Sequence, residues 1–297
     1  TGRPVSVQPK IPKGKEISFL ENSLSPCESS EKYDIIILIK TSLKGKIQRE
    51  RLRSSWANQH FLGRVGARVK YGFLIGSPNL TLEPQERTVV EEEIARYGDF
   101  IIGDFKDGYR SLIFKAMMSL RWTQEFCPNY EFLLIIDDDF DLCLEPLVTF
   151  LRDPTDYPNS NYRSNNEVYS KLCRDGCKHF YGGYILPHYF TPDRDSTKKI
   201  FLTREEYPPD VFPLYVTGLM IMLSKKTATN MNQLANFMPQ VSIEDVYLGL
   251  LARKLNIRPF GINHLMTTGF NSIRYVFDFW KSSEIAIGKT EHSFGCD

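Results

Sequence analysis

A short apolar run that ends in three consecutive carboxylates decides which architecture this chain can adopt. Residues 133–136 are all aliphatic, and Asp137, Asp138 and Asp139 follow them directly. The aliphatic run predicts a strand that is buried on both faces, as in parallel sheets covered by helices. Adjacent carboxylates repel one another, so three of them are costly unless a cation or hydrogen-bond donors lie opposite. In open α/β sheets, ligands bind at the carboxyl ends of the strands, so we predict an α/β fold with a ligand site here.

The acidic triplet itself indicates the kind of ligand. Carboxylate oxygens suit Mg²⁺ or Mn²⁺, which proteins often hold with one or two carboxylates together with substrate phosphates. A solvated acidic turn is the alternative interpretation. The aliphatic strand before the triplet and Phe140 after it favour the ligand site. We therefore predict a site for a metal ion and a diphosphate, as in enzymes that use nucleotide sugars.

Strands and helices alternate through the first half of the chain. Continuous apolar runs predict strands at 33–40, 70–75 and 99–102, and helical periodicity predicts helices at 47–58, 83–97 and 111–126. This alternation predicts βαβ units and a mostly parallel central sheet flanked by helices. The second half is less regular, with strands predicted at 183–186 and 215–223 and helices at 225–237 and 246–255.

Composition along the chain predicts the domain organisation. Residues 1–30 contain four prolines among Gly, Lys and Ser, which predicts a stem-like leader. No linker interrupts the remainder, so we predict a single domain at 31–297. Within it, 31–142 is the expected nucleotide-binding half and 143–297 the expected acceptor-binding half.

Charge and cysteine content narrow the partners and the compartment. The formal net charge is +1, which gives no support to nucleic acid as a partner. The six cysteines suggest disulfides in a lumenal protein, with the connectivity left open, although Cys173 and Cys177 could close a small ring. Asn79-Leu80-Thr81 is an N-glycosylation triplet and supports the same compartment. No apolar run is long enough to cross a bilayer, so any anchor is expected outside this chain.

A second acidic feature, Glu244-Asp245, stands at the start of a predicted helix. Capping and the helix dipole explain such a pair structurally. The functional interpretation is a general base, since an alcohol that attacks a sugar must lose a proton to a positioned group such as a carboxylate. The pair alone favours capping, whereas its combination with the acidic triplet favours the base.

Six motifs, taken in order, resemble those of the inverting β-1,3-glycosyltransferases of the secretory pathway. That family includes β-1,3-galactosyltransferases, β-1,3-N-acetylglucosaminyltransferases and their Fringe-type relatives. The motifs stand at 49–56, 73–76, 97–105, 137–139, 207–224 and 244–249. There are three departures: Ile135 and Asp210 replace a Lys and a Tyr of the family pattern, and residues 187–200 resemble an insertion.

The resemblance implies a GT-A type fold that binds a UDP-sugar with Mn²⁺. Asp139 would be a direct metal ligand, and Asp137 or Asp138 would face the ribose or a metal-bound water. The family takes a further ligand from a C-terminal histidine, for which we choose His292 over His264. The remaining cofactor-binding candidates are Arg49, Arg53, Lys115 and Gly218, the last because a glycine lets the backbone approach the sugar closely.

The resemblance also implies the reaction. Asp245, with Glu244 beside it, would deprotonate the acceptor, and a hexose (galactose or N-acetylglucosamine) would pass from UDP to the acceptor's 3-hydroxyl with inversion. The product would be a β-1,3 linkage on a glycoprotein or glycolipid. The enzyme would act in the Golgi lumen as the ectodomain of a type II membrane protein, and a homodimer is compatible with this resemblance. The alternatives are UDP-N-acetylgalactosamine as the donor, or a silent glycan-binding homologue, which would need neither Asp139 nor Asp245.

Overall fold

The computed structural model describes residues 18–20, 23–152, 177–186 and 190–262, and two short strands at 266–267 and 286–288. His292, the predicted metal ligand, lies outside these ranges, as do its alternative His264 and the cysteines Cys173 and Cys296. Among the residues that are described, no helix has the length and apolar composition needed to cross a membrane.

A seven-stranded sheet forms the centre of the molecule. The strands in chain order are β1 (Tyr33–Lys40), β2 (Val69–Gly76), β3 (Phe100–Gly103), β4 (Tyr130–Asp137), β5 (Phe140–Leu142), β6 (Tyr181–Gly183), β7 (Met220–Ser224), β8 (Phe260–Gly261), β9 (Met266–Thr267) and β10 (Ala286–Gly288). The large sheet has the order β3-β2-β1-β4-β7-β6-β8, and β5, β10 and β9 form a small second sheet. Within the large sheet only β7 runs antiparallel to its neighbours. The predicted mostly parallel α/β fold is therefore confirmed.

Helices cover the large sheet. They are α1 (Lys46–Ser54), α2 (Gln59–Leu62), α3 (Pro78–Thr81), α4 (Pro84–Tyr97), α5 (Leu112–Phe126), α6 (Leu144–Arg152), α7 (Lys225–Ala235) and α8 (Glu244–Lys254). In β1, Ile35, Ile37 and Ile39 enter one apolar layer, whereas Ile36 and Leu38 enter the other. Because both faces are buried, the strand has a continuous apolar sequence, as predicted.

One strand is shorter than its apolar sequence predicts. The run at 215–223 enters the sheet only at Met220. Before that point, the N–H of Val216 donates to the Tyr181 hydroxyl at 3.0 Å and the N–H of Gly218 donates to Asp245 at 3.0 Å. Side-chain acceptors thus bind two of these N–H groups, whereas the N–H of Thr217 between them donates to the Tyr184 carbonyl at 2.8 Å.

The described residues of the predicted leader pair with the edge of the large sheet. The N–H groups of Leu20 and Leu24 donate to the carbonyls of Ile102 and Phe100, both at 2.9 Å, along the outer edge of β3. Cys27 forms a disulfide with Cys127, which directly follows α5. The folded domain therefore includes described residues before position 31. The physical reason is that an open strand edge presents unpaired backbone groups, which this segment satisfies.

Candidate active site

A buried lysine joins four separate parts of the chain at the carboxyl end of the sheet. Lys40 and Asp137 are register partners at the ends of β1 and β4. The Lys40 ammonium lies 3.0 Å from Asp137 Oδ1 and 3.1 Å from Glu244 Oε1, and it donates to the Gly218 carbonyl at 2.8 Å. The structure thereby brings together both acidic features of the sequence. Lys40 was not among the predicted site residues, although a lysine that ends a buried apolar strand is a signal that could have identified it.

Charge and burial oppose each other within this cluster. Burial disfavours the charged form of Lys40, but Asp137 and Glu244 outweigh that effect and hold its pKa above the ordinary value. Burial also raises the pKa of Asp137 to about 6, although the Lys40 ammonium acts in the opposite direction. The cluster is therefore a tightly coupled arrangement in which each charge depends on the others for compensation.

Asp138 is held by the loop that follows β1. The Thr41 hydroxyl donates to Asp138 Oδ2 at 2.6 Å. Lys115, on α5, donates to the Thr41 carbonyl at 2.6 Å and pairs with Asp107 at 2.6 Å. Lys115 is almost fully buried, so these contacts give it a supporting position behind Thr41. Its predicted contact with the nucleotide stays a prediction that this position does not favour.

The two predicted arginines of α1 are occupied within the fold. The fully buried Arg49 binds Glu93 through two hydrogen bonds, at 2.9 and 2.6 Å. Arg53 binds both oxygens of Asp99, at 2.8 and 2.9 Å, and also Glu93 at 2.7 Å. Arg49 reaches the site only indirectly, through a 3.3 Å hydrogen bond to the Thr41 hydroxyl. These contacts are buried ion pairs rather than surface pairs, and they do not favour a nucleotide contact for either arginine.

The Glu244-Asp245 pair splits into two roles at the start of α8. The N-cap of this helix is Ile243, without a side-chain capping bond. Glu244 is buried against Lys40, whereas Asp245 is half-buried and accepts hydrogen bonds from the N–H groups of Gly218 at 3.0 Å and Val246 at 2.8 Å. Burial, followed by the neighbouring Glu244, raises the pKa of Asp245 to about 7. A fixed, partly accessible carboxylate with a raised pKa suits a general base.

The packing around Gly218 gives this residue a structural role. A Cβ at this position would stand 2.7 Å from Glu244 Oε1 and 3.3 Å from the Lys40 ammonium. The space next to its Cα is thus filled by the ion pair. Close approach of the sugar to Gly218 stays a prediction, but the ion pair alone is sufficient to explain why position 218 is glycine.

Replacing Gly218 with Ala is expected to destabilise the domain by about 1–3 kcal/mol, the usual cost of overfilling a packed site. The added methyl group must displace Glu244 from Lys40. Chemical denaturation would measure the loss. Gly66→Ala is the comparison, because a Cβ at this surface position meets nothing within 4 Å. Gly66 has a positive φ of 61°, so an alanine there introduces some backbone strain but no steric overlap. Equal losses in the two variants would contradict the packing argument.

The acidic triplet offers ligands for a divalent cation. Asp137 and Asp138 use some of their oxygen lone pairs on Lys40 and Thr41, but each ionised carboxylate has about four such sites. Within the described ranges, no three His, Cys, Asp or Glu side chains cluster as a metal site. Two carboxylates suffice when substrate phosphates complete the coordination, so the triplet fits Mg²⁺ or Mn²⁺ in chemistry and number.

Comparison with known proteins places these features in context. The sequence model of a family described as Galactosyltransferase matches residues 47–262. The chain is similar to beta-1,3-galactosyltransferase 5 of Pan paniscus, with 28% identity over 244 residues, which cover 82% of this chain and 72% of the relative. The Homo sapiens protein of the same name is 25% identical over 293 residues, covering 93% and 86%. Beta-1,3-galactosyltransferase 1 of Mus musculus is 28% identical over 249 residues, covering 83% and 68%.

Proposed function

This chain belongs to the galactosyltransferase family and is a glycosyltransferase, and we propose that it transfers galactose from UDP-galactose to the 3-hydroxyl of an acceptor glycan. The transfer proceeds with inversion and forms a β-1,3 linkage. The position of Asp245 carries this proposal, because it is a partly accessible carboxylate with a raised pKa. Its neighbour Glu244 shares the Lys40 ammonium with Asp137 of the acidic triplet. The names of the relatives support galactose over N-acetylglucosamine or N-acetylgalactosamine.

The residues of the chain divide the chemical work. Asp245 accepts the proton of the acceptor hydroxyl as its oxygen attacks the anomeric carbon. The N–H groups of Gly218 and Val246 orient that carboxylate. Lys40 binds Glu244 and thereby fixes the first turn of α8, which carries the base, relative to β4. Holding the base in place lowers the entropic part of the barrier.

Mn²⁺ is the proposed cofactor, with Asp139 and His292 as its proposed protein ligands. When bound, it would supply positive charge against the negative charge that develops on the leaving diphosphate. Asp137 and Asp138 contribute the negative field that attracts the cation, and their bonds to Lys40 and Thr41 keep them in position.

The compartment proposed is the Golgi lumen, with a membrane anchor outside this chain. Disulfides persist in oxidising compartments, and every cysteine in the described ranges, Cys27, Cys127, Cys143 and Cys177, is disulfide-bonded. Asn79 is exposed on α3, which suits an attached glycan. The acceptor would be a glycan on a glycoprotein or a glycolipid.

Metal binding distinguishes the two candidate histidines. Removing a direct ligand through Asp139→Asn or His292→Ala is expected to weaken Mn²⁺ binding by on the order of 100-fold or more, since the loss of even outer partners costs about 10–100-fold. Isothermal titration of Mn²⁺ in the presence of UDP would measure it. His264→Ala should bind normally. The reverse result for the two histidines would exchange their assignments.

Activity is expected to fall in acid because the base must be deprotonated. The pKa of Asp245 is raised to about 7, so its active carboxylate form predominates above that pH and is lost as the pH falls through it. Below neutral pH, kcat/KM for the acceptor should fall about tenfold per pH unit. Initial rates between pH 5 and 8.5 at saturating donor would show this limb. A flat profile down to pH 5 would contradict the assignment.

Release of UDP tests the function directly. The purified domain with Mn²⁺ would be offered each UDP-sugar in turn, with a panel of β-linked and mannose-terminated acceptors. UDP release that is stimulated by acceptor, selective for UDP-galactose and lost on chelation would support the proposal. Selectivity for another UDP-sugar would change the donor. Measurable UDP binding without release on any pair would favour the silent glycan-binding homologue.

A further inference from the structure

The segment that resembles an insertion is described from residue 190 to its end at residue 200, and together with Phe201 it forms one folded stretch, 190–201. Arg194 holds the segment in place, because its guanidinium donates to four backbone carbonyls at 2.8 to 2.9 Å. These carbonyls belong to Leu202, Thr203, Tyr207 and Pro209. A further hydrogen bond, from the N–H of Phe212 to the Phe190 carbonyl at 2.9 Å, joins the start of the segment to the same region. The segment therefore has a fixed place on the surface.

That place is beside the helix that carries the base. Arg110 donates to the Phe201 carbonyl at 2.8 Å and to the Ser242 hydroxyl at 3.3 Å, so one guanidinium joins the segment to the loop before α8. The Ser242 N–H donates to Glu206 at 2.6 Å. Ser242 precedes Asp245 by only three positions. The segment thus forms a wall near the proposed base.

Two tyrosines lie near the start of α8, and one of them also contacts the wall. Tyr109 directly precedes Arg110, is 42% exposed, and has the Lys199 ammonium 4.0 Å from its ring centre. Tyr215 packs against α8 where Gly249 has no side chain, since a Cβ there would stand 2.4 Å from Tyr215 Cβ.

The electrostatic surroundings of the two phenols agree with this placement. Burial raises the pKa of Tyr109 first, followed by Glu244 and Asp245. Burial likewise raises the pKa of Tyr215, followed by Asp245 and Glu244. Each phenol therefore experiences the negative charge at the start of α8. Large apolar side chains are also exposed in the adjoining chain, namely Phe190, Ile200, Val211 and Leu214.

We propose that Tyr109 and Tyr215 form the surface against which the acceptor's terminal pyranose ring lies, with residues 190–201 as its outer wall. This inference rests on the proposed function, because it gives the acceptor hydroxyl a position from which Asp245 can take its proton. A pyranose presents one face of C–H groups and a rim of hydroxyls. Aromatic rings with polar tips suit such a ligand, because they offer apolar area and hydrogen bonds together. The acceptor class is therefore a neutral hexopyranoside.

Acceptor kinetics of tyrosine variants test this subsite. The probes are methyl N-acetyl-β-glucosaminide and methyl β-galactoside, at saturating UDP-galactose and Mn²⁺. Tyr109→Ala should raise the acceptor KM about five- to tenfold, as expected for the loss of one aromatic contact. Tyr109→Phe keeps the ring and should retain most of the acceptor affinity. Arg110→Ala removes the hydrogen bonds that join the wall to the loop before α8, and it should also raise the acceptor KM.

The controls separate this inference from the function on which it rests. The change should fall on the acceptor KM and not on the donor KM. Tyr97→Ala is the matched control, because Tyr97 is 37% exposed and ends α4, three positions before the start of β3 and therefore away from the carboxyl end of the sheet. An unchanged acceptor KM in Tyr109→Ala, or an equal change in the donor KM, would overturn the subsite alone. Failure of the wild-type chain to release UDP with any donor and acceptor would overturn both proposals.

Discussion

Replacing Asp245 with Asn is expected to lower kcat for transfer about 10³-fold, within the range of about 10²- to 10⁴-fold that general-base catalysis supplies. The amide has nearly the same shape, and its oxygen can still accept the hydrogen bond from the Gly218 N–H. It cannot accept the proton of the acceptor hydroxyl. The defect should therefore fall on kcat, with UDP and Mn²⁺ binding retained. Single-turnover transfer from radiolabelled UDP-galactose, together with titration of UDP, would separate the two.

Asp210→Asn is the matched control for this substitution. Asp210 is exposed and pairs with Arg204 on the surface at 2.8 Å, and such pairs contribute about 0–1 kcal/mol. Transfer by this variant should equal that of the wild-type chain. If Asp245→Asn transferred galactose at a near-normal rate while still binding UDP, another group would have to be the base.

Lys40→Met is expected to be the most destabilising single substitution at the site, at about 3–5 kcal/mol. Methionine fills the volume, but it leaves Asp137 and the buried Glu244 without their shared cation. At about 2–4 °C per kcal/mol for a domain of this size, the midpoint of thermal unfolding should fall by roughly 6–20 °C. Calorimetry with and without UDP would measure this decrease.

A double variant distinguishes the two consequences of losing Lys40. Lys40→Met combined with Glu244→Gln removes one of the stranded charges, so part of the lost stability should return. Transfer should remain low, because α8 and its Asp245 are no longer fixed to β4 by an ion pair. Recovery of full activity together with stability would mean that Lys40 acts through folding alone. No loss of stability in the single variant would contradict the compensation argument itself.

Features confined to one stretch of sequence could be predicted here. The apolar run of β4 and the triplet that follows it indicated a buried strand with a polar end, and the helical pattern after Glu244 indicated α8. The role of Lys40 could not be found in this way. It depends on the register that pairs β1 with β4 and on the approach of α8 from more than 200 positions away. The periodicity of one segment contains no information about a contact with a distant segment.

Two other predictions failed to anticipate how backbone groups are satisfied. Residues 18–30 have the composition of a leader, but the unpaired edge of β3 recruits their backbone. The apolar run at 215–223 has the composition of a strand, but its first residues donate to Tyr181 and Asp245. In each case, a distant partner outweighed the local pattern.

The disulfide between Cys27 and Cys127 also decides how the domain would respond to a protease. Residues 28–30 form an exposed turn, the kind of position at which chains are nicked. A cut there would break the backbone but would not separate the pieces, because the sulfur bridge and the pairing along β3 still hold the preceding segment. Shedding of the domain from anything attached upstream would therefore require reduction as well as cleavage at this turn.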